Sequence, residues 1–77
     1  MCEVNIKLKN MENAKNLVNI FTKYNSDIDL MDGRVAIDAK SILGVCSVDF
    51  SKKFKLIIHD VNNEKEQILE EIKPYII

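Results

Sequence analysis

The stretch Ser26-Asp27-Ile28-Asp29-Leu30-Met31-Asp32-Gly33-Arg34-Val35-Ala36-Ile37 decides the architecture. Ile28 and Leu30 alternate with aspartates, the two-residue period of a strand with one buried face. Asp32-Gly33 is a strong signal for a two-residue hairpin. Both central positions of a type I′ turn need positive φ, which this pair tolerates. Val35 and Ile37 then continue a returning strand. A hairpin in mid-chain calls for an antiparallel sheet, and the flanking segments must supply its other strands and its cover.

Working outward, residues 3–9 place Val4, Ile6 and Leu8 in alternation with polar partners, a second half-buried strand. Ala14, Leu17, Val18 and Phe21 follow at i, i+3, i+4 and i+7, one face of a helix ending near Tyr24-Asn25. Asn10 is its natural N-cap, and Glu12 suits the positive end of the helix dipole. After the hairpin, Ser41 can cap one or two helical turns carrying Ile42, Leu43, Val45 and Cys46. Phe54, Leu56 and Ile58 alternate as another strand. Val61, Ile68, Leu69 and Ile72 suggest a last amphipathic helix, with Asn63 and Glu66 as a capping box and Pro74 near its end. The order is strand, helix, strand, strand, short helix, strand, helix. It implies an α+β domain with one antiparallel sheet and helices on one face.

The chain has 77 residues, 47% apolar and 30% charged, with a formal net charge of −1. One domain, 1–77, is expected. No field of one sign is present to attract nucleic acid or an anionic membrane, and Lys7, Lys9, Lys52 and Lys53 are scattered basics without aromatic interleaving. Apolar runs are short, such as Leu56-Ile57-Ile58, far from the roughly 20 residues that span a bilayer. The opening MCEVNIKLKN alternates and carries Glu3, unlike a signal peptide, so a cytoplasmic location is expected. Cys2 and Cys46 show no disulfide framework. Cys46 is expected to be buried and Cys2 partly exposed. Asp27, Asp29 and Asp32 read as a solvated strand face and turn, not a metal loop. No metal and no cofactor is expected. Paired acids and phosphate loops are missing too, so the chain is not expected to be an enzyme.

Lys40-Ser41-Ile42-Leu43-Gly44-Val45 resembles the Lys-Ser-Ile-Met-Gly-Val signature of HPr, the small phosphocarrier of the bacterial phosphoenolpyruvate:sugar phosphotransferase system. Lys23-Tyr24-Asn25-Ser26-Asp27-Ile28 resembles the family's stretch between first helix and second strand, and Asp32-Gly33-Arg34-Val35 its hairpin turn. The resemblance implies the HPr-like open-faced β-sandwich, βαββαβα, with a four-stranded antiparallel sheet and three helices on one face. It also implies an active centre, Gly-hydrophobic-His-Ala-Arg-Pro-Ala, at the start of the first helix. Counting without gaps, the histidine falls on Asn10, the arginine on Glu12 and the proline on Asn13; only the final alanine matches, as Ala14.

These departures bear on chemistry. A neutral imidazole nitrogen accepts and releases a phosphoryl group near neutral pH. An amide nitrogen, its lone pair delocalised into the carbonyl, does not, and Glu12 would repel the phosphate that an arginine steadies. The resemblance is therefore to a histidine-less branch such as Crh. It implies a regulatory or protein-interaction module, with phosphorylation at Ser41 by an HPr kinase-type enzyme and docking through Ile42, Leu43 and Gly44. A transcription regulator or phosphotransferase components would be the partners. Leu43 and Val45 should divide between surface and core. Two alternatives stay open: a phosphocarrier using an atypical site such as His59, the single histidine, and a small-molecule-binding α/β sandwich.

Overall fold

The computed structural model describes residues 2–77. The elements, in chain order, are β1 (Cys2–Lys7), α1 (Met11–Phe21), β2 (Asp27–Asp32), β3 (Val35–Asp38), α2 (Ile42–Cys46), β4 (Lys53–His59) and α3 (Lys65–Glu71), followed by a 3₁₀ turn over Lys73–Tyr75. The strands form one antiparallel sheet in the order β1-β4-β2-β3. This is the single antiparallel sheet expected from the element order, arranged as the open-faced sandwich that the resemblance implies.

Alternation along β4 decides which way the sheet faces. Phe54, Leu56 and Ile58 are buried, whereas Lys53, Lys55 and His59 are exposed. Leu56 lies opposite Val4 on one side and Leu30 on the other, and Ile58 opposite Ile28, so one face of three strands is apolar. Ala14, Leu17, Val18 and Phe21 of α1 and Ile68 and Ile72 at the C-terminal end of the fold join those side chains in one core. Val45 of α2 is fully buried in the same core. After the last helix, Ile76 bridges Ile6 and Ile77 N–H donates to Asn5 O at 3.0 Å, so the C-terminal residues strap the outer edge of β1.

Several local expectations need correction. The hairpin's flanking pair is Asp32 and Val35, which leaves Gly33 and Arg34 as the central residues. Gly33 has φ +62° while Arg34 is not in the left-handed region. That pattern fits type II′, with glycine first, not type I′. The first helix stops at Phe21 with Thr22 as its cap, before Tyr24. Val61 lies outside the last helix and is exposed. No Asn63–Glu66 capping box forms. Asn62 and Asn63 both adopt left-handed φ, near 58°, and the chain reverses there. Asp60 reaches across this reversal, and its Oδ1 accepts from Glu64 N (2.9 Å) and Lys65 N (3.1 Å).

A polar corner joins α3 to the start of β2. Ser26 is fully buried. Its hydroxyl donates to Glu64 Oε1 at 2.8 Å and accepts from Val61 N at 2.9 Å. Glu64 Oε1 also accepts from Ser26 N and Asn25 N, at 2.9 and 3.0 Å. Partial burial pushes the Glu64 carboxyl up, but these hydrogen bonds and the nearby Lys40 charge outweigh it and hold the group below the usual carboxylate range. Tyr24 donates its hydroxyl to Glu71, which also pairs with Lys23 at 2.6 Å. Burial, then the Glu71 hydrogen bond, pushes the Tyr24 phenol up to about 12.

Because the folded Glu64 titrates below its unfolded value of 4.5, its contribution is complete above that value and disappears as pH falls through the folded one. Denaturant titrations from neutral pH downward should show stability falling in acid, with a shallower acid slope and lower neutral-pH stability for Glu64→Gln. A second test concerns Gly44. A Cβ there would lie 2.8 Å from Ile37 Cγ2, a β-branched methyl with little room to move. Gly44→Ala gains up to about 1 kcal/mol of helix propensity but overpacks at a cost of about 1–3 kcal/mol. A net loss of about 1 kcal/mol, or roughly 4–8 °C in Tm by calorimetry, is the expected result.

Candidate functional site

The start of α1 is built by two asparagines. Asn10 is extended (φ −162°), and its Oδ1 accepts from Asn13 N at 2.9 Å, the N-cap bond anticipated from sequence. Asn13 reaches back, and its Oδ1 accepts from Lys9 N at 3.1 Å. The pair closes the chain onto the helix from both sides, a reciprocal cap. The Asn13 half escaped the sequence reading, although Asn three places after Asn10 was the available signal. Asn10, Met11 and Glu12 are exposed. The first turn thus presents a carboxamide and a carboxylate to solvent, with no cationic or imidazole side chain among residues 10–14.

Ser41 opens α2 as expected. Its backbone is extended, and its Oγ accepts from Gly44 N at 3.3 Å. The side chain is half-buried. Its neighbour Lys40 turns away to the end of the first helix, where its ammonium donates to Tyr24 O at 2.7 Å. The anticipated division within α2 is clear: Val45 is fully buried, Leu43 is 84% exposed and Ile42 is 42% exposed. Gly44 is half-buried and seated close to Ile37, so it sets how near α2 lies to β3 and is only a minor part of the exposed surface. α1 and α2 pack directly on one another, which puts Asn10 and Ser41 on helices of the same layer.

His59 is elsewhere. Lys53 at the start of β4 pairs with Lys7, just before α1, and His59 is at the strand's other end. Six residue steps separate the two ends, about 20 Å at ~3.3 Å per residue. By alternation His59 also points to the open face, away from the helices. Its Nε2 lies 3.1 Å from Asp29 Oδ2, and Asp27 and Asp38 line the same shallow groove. Asp32 has the opposite parity to Asp27 and Asp29, so the three aspartates are not gathered. Cys2 and Cys46 are free thiols. Both are half-buried, which corrects the expectation of a buried Cys46: on the short α2 it neighbours the inward Val45 without sharing its full burial.

No helix of the described residues is long and apolar enough to cross a membrane. Residues 4–77 match the PTS-HPr family model, described as the PTS HPr component phosphorylation site. Among solved structures, HPr-C-His from Thermoanaerobacter tengcongensis is 25% identical with a TM-score of 0.76, over 96% of this chain and 89% of that one. The phosphocarrier protein HPr from Bacillus anthracis is 21% identical with a TM-score of 0.73, over 99% and 94%. Crh, the Bacillus subtilis catabolite repression protein described as a domain-swapped, intertwined dimer, is 24% identical with a TM-score of 0.66, over 94% and 82%. No curated protein sequence matched. With nearly its whole length covered by the family model and its fold shared with these proteins, the chain belongs to the HPr family of the phosphotransferase system.

Proposed function

We propose that this chain is a non-catalytic regulatory or protein-interaction member of the HPr family, lacking the phosphorylatable active-site histidine and controlled by phosphorylation at Ser41 in the cytoplasm. One observation carries the reading: Asn10 opens α1, while the single histidine, His59, stands in β4. A carboxamide that spends its oxygen on a helix cap offers no nucleophile for a phosphoryl group. Glu12, two places on, adds a negative charge where a transferred phosphate would need a cation.

Two features support the regulatory half. Ser41 sits within a segment that matches the family's serine signature, and its hydroxyl is only half-buried. A phosphate there adds about −1.5 to −2 charges next to the first backbone N–H groups of α2. Beside it, Ile42 and Leu43 expose apolar surface that a folded monomer gains nothing by exposing. The partners this reading implies are an HPr kinase-type enzyme acting on Ser41, and a transcription regulator or phosphotransferase component docking at Ile42, Leu43 and Gly44.

Incubation with an HPr kinase and ATP should add one phosphate to the wild-type chain and none to Ser41→Ala, read by intact-mass spectrometry. Incubation with phosphoenolpyruvate and the first enzyme of the phosphotransferase system should leave the chain unlabelled. Efficient labelling from phosphoenolpyruvate would overturn the non-carrier reading. Loss of that label in His59→Ala would assign the carrier role to β4. A wild-type chain that the kinase leaves unmodified would remove Ser41 as the control point.

A further inference from the structure

β3 is an edge strand: it pairs with β2 and with no other strand among the described residues. Its sequence context, Arg34-Val35-Ala36-Ile37-Asp38, has opposite properties disposed evenly about its centre. A cation and an anion stand two places either side of Ala36, and β-branched apolar residues stand one place either side. Val35 is 61% exposed, and Arg34, Ala36 and Asp38 are exposed as well. We propose that the outer edge of β3 is a self-recognition surface, on which two copies of this chain pair antiparallel about a two-fold axis at Ala36.

The hydrogen-bond phase fits this register. Ala39 N donates to Ile28 O at 2.9 Å. Ladder bonds alternate along an antiparallel pair. Val35, Ile37 and Ala39 therefore turn their peptide groups toward β2, and Ala36 and Asp38 turn theirs outward. Centred on Ala36, the two copies exchange N–H and C=O between their Ala36 residues. Asp38 N–H faces the partner's Arg34 carbonyl; Asp38 O already accepts from Ser41 N at 2.9 Å.

Side chains agree with the backbone. Val35 of each copy lies opposite Ile37 of the other, in the non-hydrogen-bonded pairs where side chains approach most closely. Arg34 of each copy lies opposite Asp38 of the other. Asp38 Oδ1 accepts from Lys40 N at 3.0 Å, and a carboxylate retains acceptor capacity for a guanidinium. A register shifted by two residues would place Arg34 opposite Ala36 and forfeit both ion pairs, so charge fixes one alignment. The contact is isologous and closes at two copies, joining the sheets into one of eight strands. Five residues a side is far below the roughly 1,000 Å² of a durable interface, so the pairing is weak and salt-sensitive.

Sedimentation velocity from micromolar to about millimolar protein tests this, with a dissociation constant near the upper end expected. Raising NaCl from 50 mM to 500 mM should weaken association several-fold. Arg34→Glu should weaken it about tenfold or more by opposing two carboxylates, and Arg34→Glu with Asp38→Lys should restore it. Ala36→Pro removes only an outward N–H, which edge strands tolerate, and should abolish pairing while circular dichroism stays native. A strictly monomeric chain at millimolar concentration, or a dimer indifferent to Ala36→Pro and Arg34→Glu, overturns the proposal.

Discussion

One-sided burial of β4 is the constraint on which the structure depends. This strand is bonded on both sides, to β1 and to β2, so its register passes to both neighbours. Phe54, Leu56 and Ile58 point to the helices, and a slip of one residue would exchange them for Lys53, Lys55 and Ile57. Burying a Leu, Ile or Phe side chain is worth about 1.5–3 kcal/mol, so three misplaced side chains would cost most of a small domain's stability of about 5–15 kcal/mol. The helices have a place to pack only because this alternation is kept.

The same constraint divides the chemistry of the molecule. All helix starts, and with them Asn10 and Ser41, belong to the covered face. His59, Asp27 and Asp29 belong to the open one. The single imidazole is thereby separated from the first turn of α1 by both the length and the thickness of the sheet. Next to Ser41, Lys40 is engaged with the Tyr24 carbonyl, and its charge acts on Glu64, which holds Asn25 and Ser26. The residue just before the α2 cap is thus tied to the corner where β2 and α3 meet. The exposed Leu43 projects from that same short helix, held near β3 by the absence of a side chain at Gly44.

Much of this was legible in the residue order. Periods of two and 3.6 located the strands and helices, because burial on one face must repeat with the backbone's own geometry. Asn10 and Ser41 were identifiable as caps because their short side chains accept from N–H groups three residues on. Boundaries and loop chemistry were less legible. The type of the hairpin turn, the rejection of an Asn63 cap in favour of Asp60, and the Asn13 return bond each depend on where the chain has been steered by packing elsewhere.

By itself, then, the sequence determined the element order, the inward residues of the strands and of α1, the resemblance of the Ser41 segment to a family signature and the residues, none of them histidine, at the start of α1. These are local properties, carried by neighbours a few places apart. Tertiary structure alone decided that Glu64 would reach Ser26, that Lys40 would be committed to Tyr24, and that β3 would be left at an edge with Val35 uncovered. Those outcomes join residues 16 and 38 positions apart or follow from strand order, and no short-range pattern encodes either.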